Sequence, residues 1–331
     1  MKSGVRDSER VPSFISIIIP VYNEEESLPH LFNVLQKNIE KFSFKTEVIF
    51  INDGSTDRTP ELLDKAVKKH KNFKVIHFRR NFGQTAAFMA GFDHASGEII
   101  VTLDADLQND PADIPSLIEK LSEGYDIVSG WRKNRKDDFW LRILPSKIAN
   151  KIISYFTKVN LHDYGCSLKA YRKDVIDHLY LYGELHRFIP ALASMIGAKV
   201  TEIPVRHHPR KFGKSKYGIS RTFRVILDLL TVKFLLKFVD RPMHFFGTVG
   251  LFALLAGFFF LGILIYYKIF YHQDMTDSPF LLLSTITSFS GLTFILFGII
   301  AEIIVRIYFE STNKSVYYIK RIVGFSSDEK K

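Results

Sequence analysis

Two apolar runs near the C-terminus, Phe245–Tyr267 and Phe280–Val305, constrain this chain more than any other feature. Each reaches the roughly 20 residues needed to cross the hydrocarbon core of a bilayer. The only acid in either run is Glu302, near the end of the second. Upstream of them the sequence reads as a soluble domain, so the chain divides into a tail (1–13), a globular domain (14–216), a juxtamembrane amphipathic segment (217–243), a two-helix anchor (244–307) and a C-terminal tail (308–331). Lys233, Lys237 and Arg241 precede the first run, and Arg306, Lys314, Lys320 and Arg321 follow the second; between them Lys268 faces Asp274 and Asp277. The positive-inside rule then assigns both ends, and the globular domain, to the cytoplasmic side of the plasma membrane. Residues 1–13 are polar, and Phe14–Ile19 is too short for a signal-peptide core and runs into Pro20, so targeting falls to the anchor. A single cysteine, Cys166, excludes an internal disulfide and suits a reducing compartment. Beside such an anchor, the net charge of +10 reads as attraction to anionic lipid headgroups, not to nucleic acid.

The globular part alternates short β-rich runs with helical patterns. Strands are predicted at Phe14–Ile19, Val48–Ile51, Lys74–Phe78, Ile99–Leu103 and Ile127–Ser129, where β-branched and aromatic residues cluster between turn signals. Leu28, Leu31, Phe32 and Leu35 share one helical face; Leu62, Leu63 and Val67 share another. This alternation predicts an α/β, Rossmann-like fold with a mostly parallel sheet and ligands at the carboxyl ends of its strands.

Three polar segments fall at those ends. The first strand runs into Pro20-Val21-Tyr22-Asn23-Glu24-Glu25 and the second into Asn52-Asp53-Gly54-Ser55-Thr56-Asp57. Both loops suit a nucleotide, with Asp53 able to accept from a base N–H; Asn23 and Asp57 read equally well as helix N-caps. The fourth strand ends in Asp104-Ala105-Asp106-Leu107-Gln108. Residues i and i+2 of a strand share a face, so Asp104 and Asp106 are expected to reach one hard divalent cation, with the Gln108 carbonyl as a third oxygen. The bland alternative is two acids capping a turn before Pro111.

In order and spacing, Ile19–Glu24, Asn52–Asp57, Arg80-Asn-Phe-Gly83, Asp104–Gln108 and Gly213-Lys-Ser-Lys-Tyr217 resemble the family 2 inverting glycosyltransferases of GT-A fold, and more narrowly the polyprenyl-phosphate enzymes related to dolichol-phosphate mannose synthase. The resemblance runs from about Ser16 to the last apolar run. It implies a nucleotide pocket lined by Pro20, Tyr22, Glu24 and Asp53, a Mg²⁺ or Mn²⁺ and diphosphate site at Asp104, Asp106 and Gln108, and a phosphate-side Arg132. It also implies that Arg142 and Ser146 grip a lipid phosphate and that Arg210, Ser215 and Lys216 form a basic active-site loop. Several relatives have Gly-Asp-Phe-Arg-Leu where this chain has Asp163-Tyr-Gly-Cys-Ser-Leu-Lys-Ala-Tyr-Arg172. That wording resembles bacterial transferases that load modified aminoarabinose precursors onto undecaprenyl phosphate, which implies a UDP-linked donor. Asp163 is either a second catalytic acid or a turn residue before Gly165.

The activity so implied moves one sugar from a nucleotide carrier to a polyprenyl phosphate. A phosphate monoester is mostly dianionic at neutral pH and needs little activation, so placement and charge are the protein's tasks. Two stripes at helical spacing, Leu141 to Tyr155 and Phe223 to Phe238, are flanked by basic residues and suit helices in the membrane interface; core packing explains them too. The resemblance further implies assembly of homo-oligomers through the membrane helices. Three alternatives remain: a processive polysaccharide synthase, whose Gln-x-x-Arg-Trp motif is missing here, a non-catalytic nucleotide-binding membrane scaffold, and a transporter or flippase, for which two spans are few unless the chain oligomerises.

Overall fold

The computed structural model describes residues 12–133, 154, 159–179, 181, 185–209, 242–272, 274–276, 278–311 and 317–326. They form two compact units, one built on the globular domain together with the extreme C-terminus and one on the two apolar helices.

The first unit is organised by a sheet in the order β7-β5-β6-β4-β1-β2-β3-β8. Its strands are β1 (Phe14–Val21), β2 (Lys45–Asn52), β3 (Phe73–Phe78), β4 (Ile99–Thr102), β5 (Ile127–Trp131), β6 (Lys169–Arg172), β7 (Val200–Pro204) and β8 (Ile319–Val323). All five strands expected from the sequence are present. β1 pairs in parallel with both β2 and β4, β2 with β3, and β5 with β7; β6 and β8 run against their neighbours. Ile15, Ile17, Ile18 and Ile19 of β1 are all fully buried, because helices cover both faces of a parallel sheet.

The helices α1 (Leu28–Ile39), α2 (Thr59–Lys69), α3 (Gln84–His94) and α4 (Ile114–Ser122) follow β1 to β4 in turn. Proline is the second residue of α1, α2 and α4 (Pro29, Pro60 and Pro115), where its fixed φ suits a first turn and its missing N–H leaves nothing unsatisfied. α1 buries Leu28, Leu31 and Leu35, the face predicted from their spacing. α3 is buried nearly all round and lies so close to β1 that a Cβ on Gly91 would come within 2.4 Å of the Ile18 side chain. Two short helices, α5 (Lys173–Ile176) and α6 (Ile189–Met195), complete the unit.

The C-terminus departs from expectation. Residues 308–331 read as a tail, yet Ile319–Val323 pair antiparallel with β3 and close that edge of the sheet. An open edge invites pairing with other chains, and the C-terminal strand covers β3, becoming the short, Lys- and Arg-bearing edge in its place.

The second unit is α7 (Pro242–Tyr271) and α8 (Pro279–Ser311), of 30 and 33 residues. Phe245–Tyr271 and Pro279–Ala301 are long and apolar enough to cross a membrane, with mean hydropathy 2.5 and 1.9. Large side chains such as Phe252 and Phe289 are about 70% exposed, which suits lipid and not a water-soluble core. Glycines set the contact between the helices: a Cβ on Gly250 would lie 2.6 Å from the Gly291 carbonyl, and one on Gly291 would lie 2.7 Å from that of Gly250. Two turns further along, the Ser284 hydroxyl donates to the Gly257 carbonyl at 3.0 Å. Without a hydrophobic drive between helices in lipid, such close backbone approach is what holds a pair. Gly291→Leu is therefore expected to destabilise the pair by about 1–3 kcal/mol, the usual range for overpacking. Thermal unfolding of the full chain in micelles checks this, and an unchanged midpoint would show that the two backbones do not need to touch.

Candidate active site

The loops after β1 and β2 are laced to each other by side chain to backbone hydrogen bonds. Asn23, at φ 51°, donates its N–H to the Ser55 hydroxyl at 3.0 Å and accepts from the Thr56 N–H at 2.8 Å. The Glu24 N–H donates to the Thr59 hydroxyl, the Glu25 N–H to Asp57, and the Arg58 N–H back to the Glu25 carboxylate. Asn23 therefore bridges two loops and does not cap α1, whereas Asp57 does accept from the Thr59 N–H at the start of α2. Pro20 lies opposite Ile51 one residue before the end of β1, and half-buried Tyr22 and Glu24 follow the strand.

Asp53 is buried at the end of β2 and accepts from the Phe82 N–H at 2.6 Å and the Gly83 N–H at 3.0 Å. Burial pushes its carboxyl up to about 6, with the two N–H donors working the other way. Both oxygens thus hold the loop after β3, a role its sequence position did not reveal. Gly54 sits under the same loop at φ 68°, where a Cβ would meet the Arg80 carbonyl carbon at 2.3 Å; no other residue fits.

The acid pair departs from the expected geometry. β4 ends at Thr102, so Asp104 and Asp106 lie in a turn, with Leu107 held at φ 60°, and strand alternation does not align them. The turn is tied by the Gln108 N–H, which donates to Asp106 at 3.1 Å. The Gln108 carbonyl, expected to face a cation, accepts the His208 N–H at 2.8 Å. Asp104 accepts from the Gln84 side chain at 2.9 Å. Its pKa rises to about 6, through burial first and the Asp106 charge second.

Across from it, Arg132 at the end of β5 makes a two-pronged ion pair with Asp163, Nε to Oδ2 at 2.6 Å and Nη2 to Oδ1 at 2.9 Å. Both side chains are nearly buried. The Gly165 N–H also donates to Asp163, so the turn reading of this acid holds together with its ion pair. Next to them Lys169 is buried in β6, its ammonium donating to the carbonyls of Tyr164 and Cys166. Burial pulls its pKa down, and the Asp163 and Asp104 charges oppose that. Burial pushes the Cys166 thiol up to about 11, which leaves it an inert packed side chain.

Asp104, Asp106 and Asp163 against Arg132 and Lys169 leave one negative charge in excess. The oxygen donors of the acid pair fit a hard divalent cation, whose binding would relieve the repulsion that raises the Asp104 pKa. Among the described residues no third His, Cys, Asp or Glu joins the two to form a protein-only cage, so phosphate and water would supply the other ligands, as Mg²⁺ commonly requires. Gln84, Ser167 and Lys169 contact or face this cluster and were missed from the sequence: Gln84 opens α3 directly after the Arg80–Gly83 segment, while Ser167 and Lys169 are carried in by the pairing of β6 with β4. Arg142, Ser146, Arg210, Ser215 and Lys216, with the two amphipathic stripes, lie outside the described residues. The stem of the basic loop is seen: His208 and Arg206 are held by Asp110 and Asp113 beside the acid turn.

A parallel α/β sheet with laced loops at two strand ends and an acid pair at a third defines a GT-A-type glycosyltransferase domain. Residues 16–180 match Glycosyl transferase family 2. Over 93% of its length the chain is 42% identical to the dodecaprenyl-phosphate galacturonate synthase of Rhizobium johnstonii, 92% of which is covered. The chain belongs to glycosyl transferase family 2. The fold also matches the glucosyl-3-phosphoglycerate synthase of Mycobacterium tuberculosis, solved with Mn²⁺, UDP and phosphoglyceric acid, at TM-score 0.52 and 18% identity over 67% of this chain and 78% of that one. Mannosyl-3-phosphoglycerate synthase of Rubrobacter xylanophilus matches at TM-score 0.54 and 12% identity, over 67% and 74%.

Removing one partner of a buried ion pair leaves the other charge uncompensated. Asp163→Ala is accordingly expected to destabilise the domain by about 3–5 kcal/mol, and Asp163→Leu combined with Arg132→Met to recover most of that stability. Chemical unfolding of the three proteins decides it; a double variant that loses clearly more than Asp163→Ala would show that the two losses add and that the pair is not coupled.

Proposed function

We propose that this chain transfers one sugar, with inversion, from a UDP-linked donor to the phosphate of a polyprenyl phosphate of the undecaprenyl type, at the cytoplasmic face of the membrane. One observation carries the reading: the 42% identity to a polyprenyl-phosphate sugar synthase extends over 93% of the chain and so includes the apolar helices. The relative's name makes galacturonate the first sugar to test, ahead of the aminoarabinose type suggested by the wording around Asp163.

In the transfer, an oxygen of the dianionic acceptor phosphate attacks the anomeric carbon. The new C–O bond forms as the bond to the nucleotide diphosphate breaks, and that diphosphate carries away the electron pair. No general base is needed, which agrees with Asp163 spending both oxygens on Arg132. Asp163 is then a positioning residue that aims a rigid guanidinium at phosphate. Pro20, Tyr22, Glu24 and Asp53 belong to the donor pocket; Arg142 and Ser146 hold the acceptor phosphate; Arg210, Ser215 and Lys216 belong to a basic active-site loop. Asp104 and Asp106 would hold Mg²⁺ or Mn²⁺, which when bound supplies charge to the departing diphosphate.

Membranes containing the chain, incubated with undecaprenyl phosphate and a panel of labelled nucleotide sugars, are expected to move label from UDP-galacturonate into the organic phase. Asp106→Asn should abolish that transfer while the protein remains folded in the membrane; full transfer by this variant would remove the acid pair from the chemistry. The basic residues flanking the two apolar runs support placing both ends of the helical pair on the cytoplasmic side and the short link between the helices on the other. In cells, a cysteine placed at Asp274 should react with an impermeant thiol reagent from outside, with buried Cys166 silent. Labelling only after lysis reverses the orientation.

A further inference from the structure

We propose that the C-terminal segment Tyr317–Phe325, which comes after the membrane pair in sequence, is a positioning strap for the donor-site loops, with Arg321 as its principal residue. Two independent routes lead from the segment to those loops. The first is polar. Arg321 clamps Asp64 of α2 through both guanidinium ends, at 3.1 and 2.5 Å. Asp64 accepts from His77 Nε2 at 3.0 Å, and His77 Nδ1 accepts from the Asn52 amide at 2.9 Å, which sets the neutral Nε2–H tautomer. The Asn52 oxygen in turn accepts the Ser55 N–H at 3.0 Å, and the Ser55 hydroxyl accepts the Asn23 N–H. The chain of bonds therefore runs from the last strand, through buried His77, to both laced loops.

The second route runs along the sheet edge. The Arg79 N–H donates to the Tyr318 carbonyl at 3.0 Å. The Tyr317 ring stacks on Phe78 at 5.2 Å, and the Tyr318 ring lies 6.0 Å from Phe82. The Tyr317 hydroxyl also donates to Asp93 in α3. Arg79 and Phe82 bracket the loop whose Phe82 and Gly83 amides are held by Asp53, and the next residue, Gln84, donates to Asp104. Without the strap, β3 would be an edge strand and this loop would be anchored from one side only.

That these loops hold the nucleotide rests on the proposed transferase function; that the strap orders them rests on the hydrogen bonds alone. The test uses the full chain in detergent micelles. Arg321→Ala is compared with wild type, with Lys320→Ala on the same strand, and with Arg321→Lys. Asp64→Asn, which removes the charge on which Arg321 and His77 converge, approaches the same link from its other end. Amide exchange is measured at residues 52–57 and 79–84, and affinity for UDP with Mn²⁺ is measured alongside. Arg321→Ala and Asp64→Asn are expected to speed exchange at both loops and to weaken UDP about twofold to fivefold, the scale of a partly exposed ion pair. Arg321→Lys should recover most of the effect, and Lys320→Ala should match wild type. Faster exchange confined to 317–326 and 73–78, or none anywhere, overturns the proposal. If wild type fails to bind UDP while the loops still respond to Arg321→Ala, the donor reading falls and the strap stands.

Discussion

Parallel pairing puts the ends of all the participating strands on one edge of a sheet, and the chemistry of this chain depends on that constraint. β1, β2 and β4 run side by side in the same sense, so Val21 and Asn52 finish opposite each other and Thr102 finishes opposite Ile18, on the same edge of the sheet. The segments leaving these three strand ends are forced into a shared space. The consequence is visible in the bonds between segments far apart in sequence: Asn23 to Ser55 and Thr56, Asp53 to Phe82 and Gly83, and Gln84 to Asp104. A sheet with alternating strand directions would have scattered the same residues over two edges.

Electrostatics then decides what such an edge can do. The cluster keeps buried carboxylates near buried cations without cancelling them, and its pKa values are displaced accordingly: Asp104 upward and Lys169 downward. Burial of unlike charges is tolerated only with close geometric pairing, which the Arg132–Asp163 fork provides. Such an arrangement suits the proposed movement of a sugar from a diphosphate to a phosphate.

The strands β1 to β5 were legible because β-branched runs such as Ile15–Ile19 stand between clear turn signals. α1 was legible because one face is buried and the other is not, so its apolar spacing shows the helical period. α3 was not, since burial on nearly every side leaves Ala86, Ala87, Ala90 and Gly91 without a polar stripe to contrast with. β6 and β8 contain Lys169, Arg172, Lys320 and Arg321 and look like surface text; only pairing with β4 and β3 makes them strands. At the site, the segments holding Asp53, Asp104 and Asp106 were legible as loops after β2 and β4, whereas Arg132 and Asp163 came from the resemblance alone. Their contacts were out of reach: nothing in Asp53-Gly54 says that the amides of Phe82 and Gly83 will take both oxygens.

The place of β8 in the chain bears on how the protein is made. Its partner strand β3 is synthesised early, whereas β8 follows both apolar helices in sequence. Until β8 has been made, β3 presents unsatisfied N–H and C=O groups, and a chain interrupted before Ile319 keeps that exposed edge, the kind of site at which nascent chains pair wrongly and aggregate.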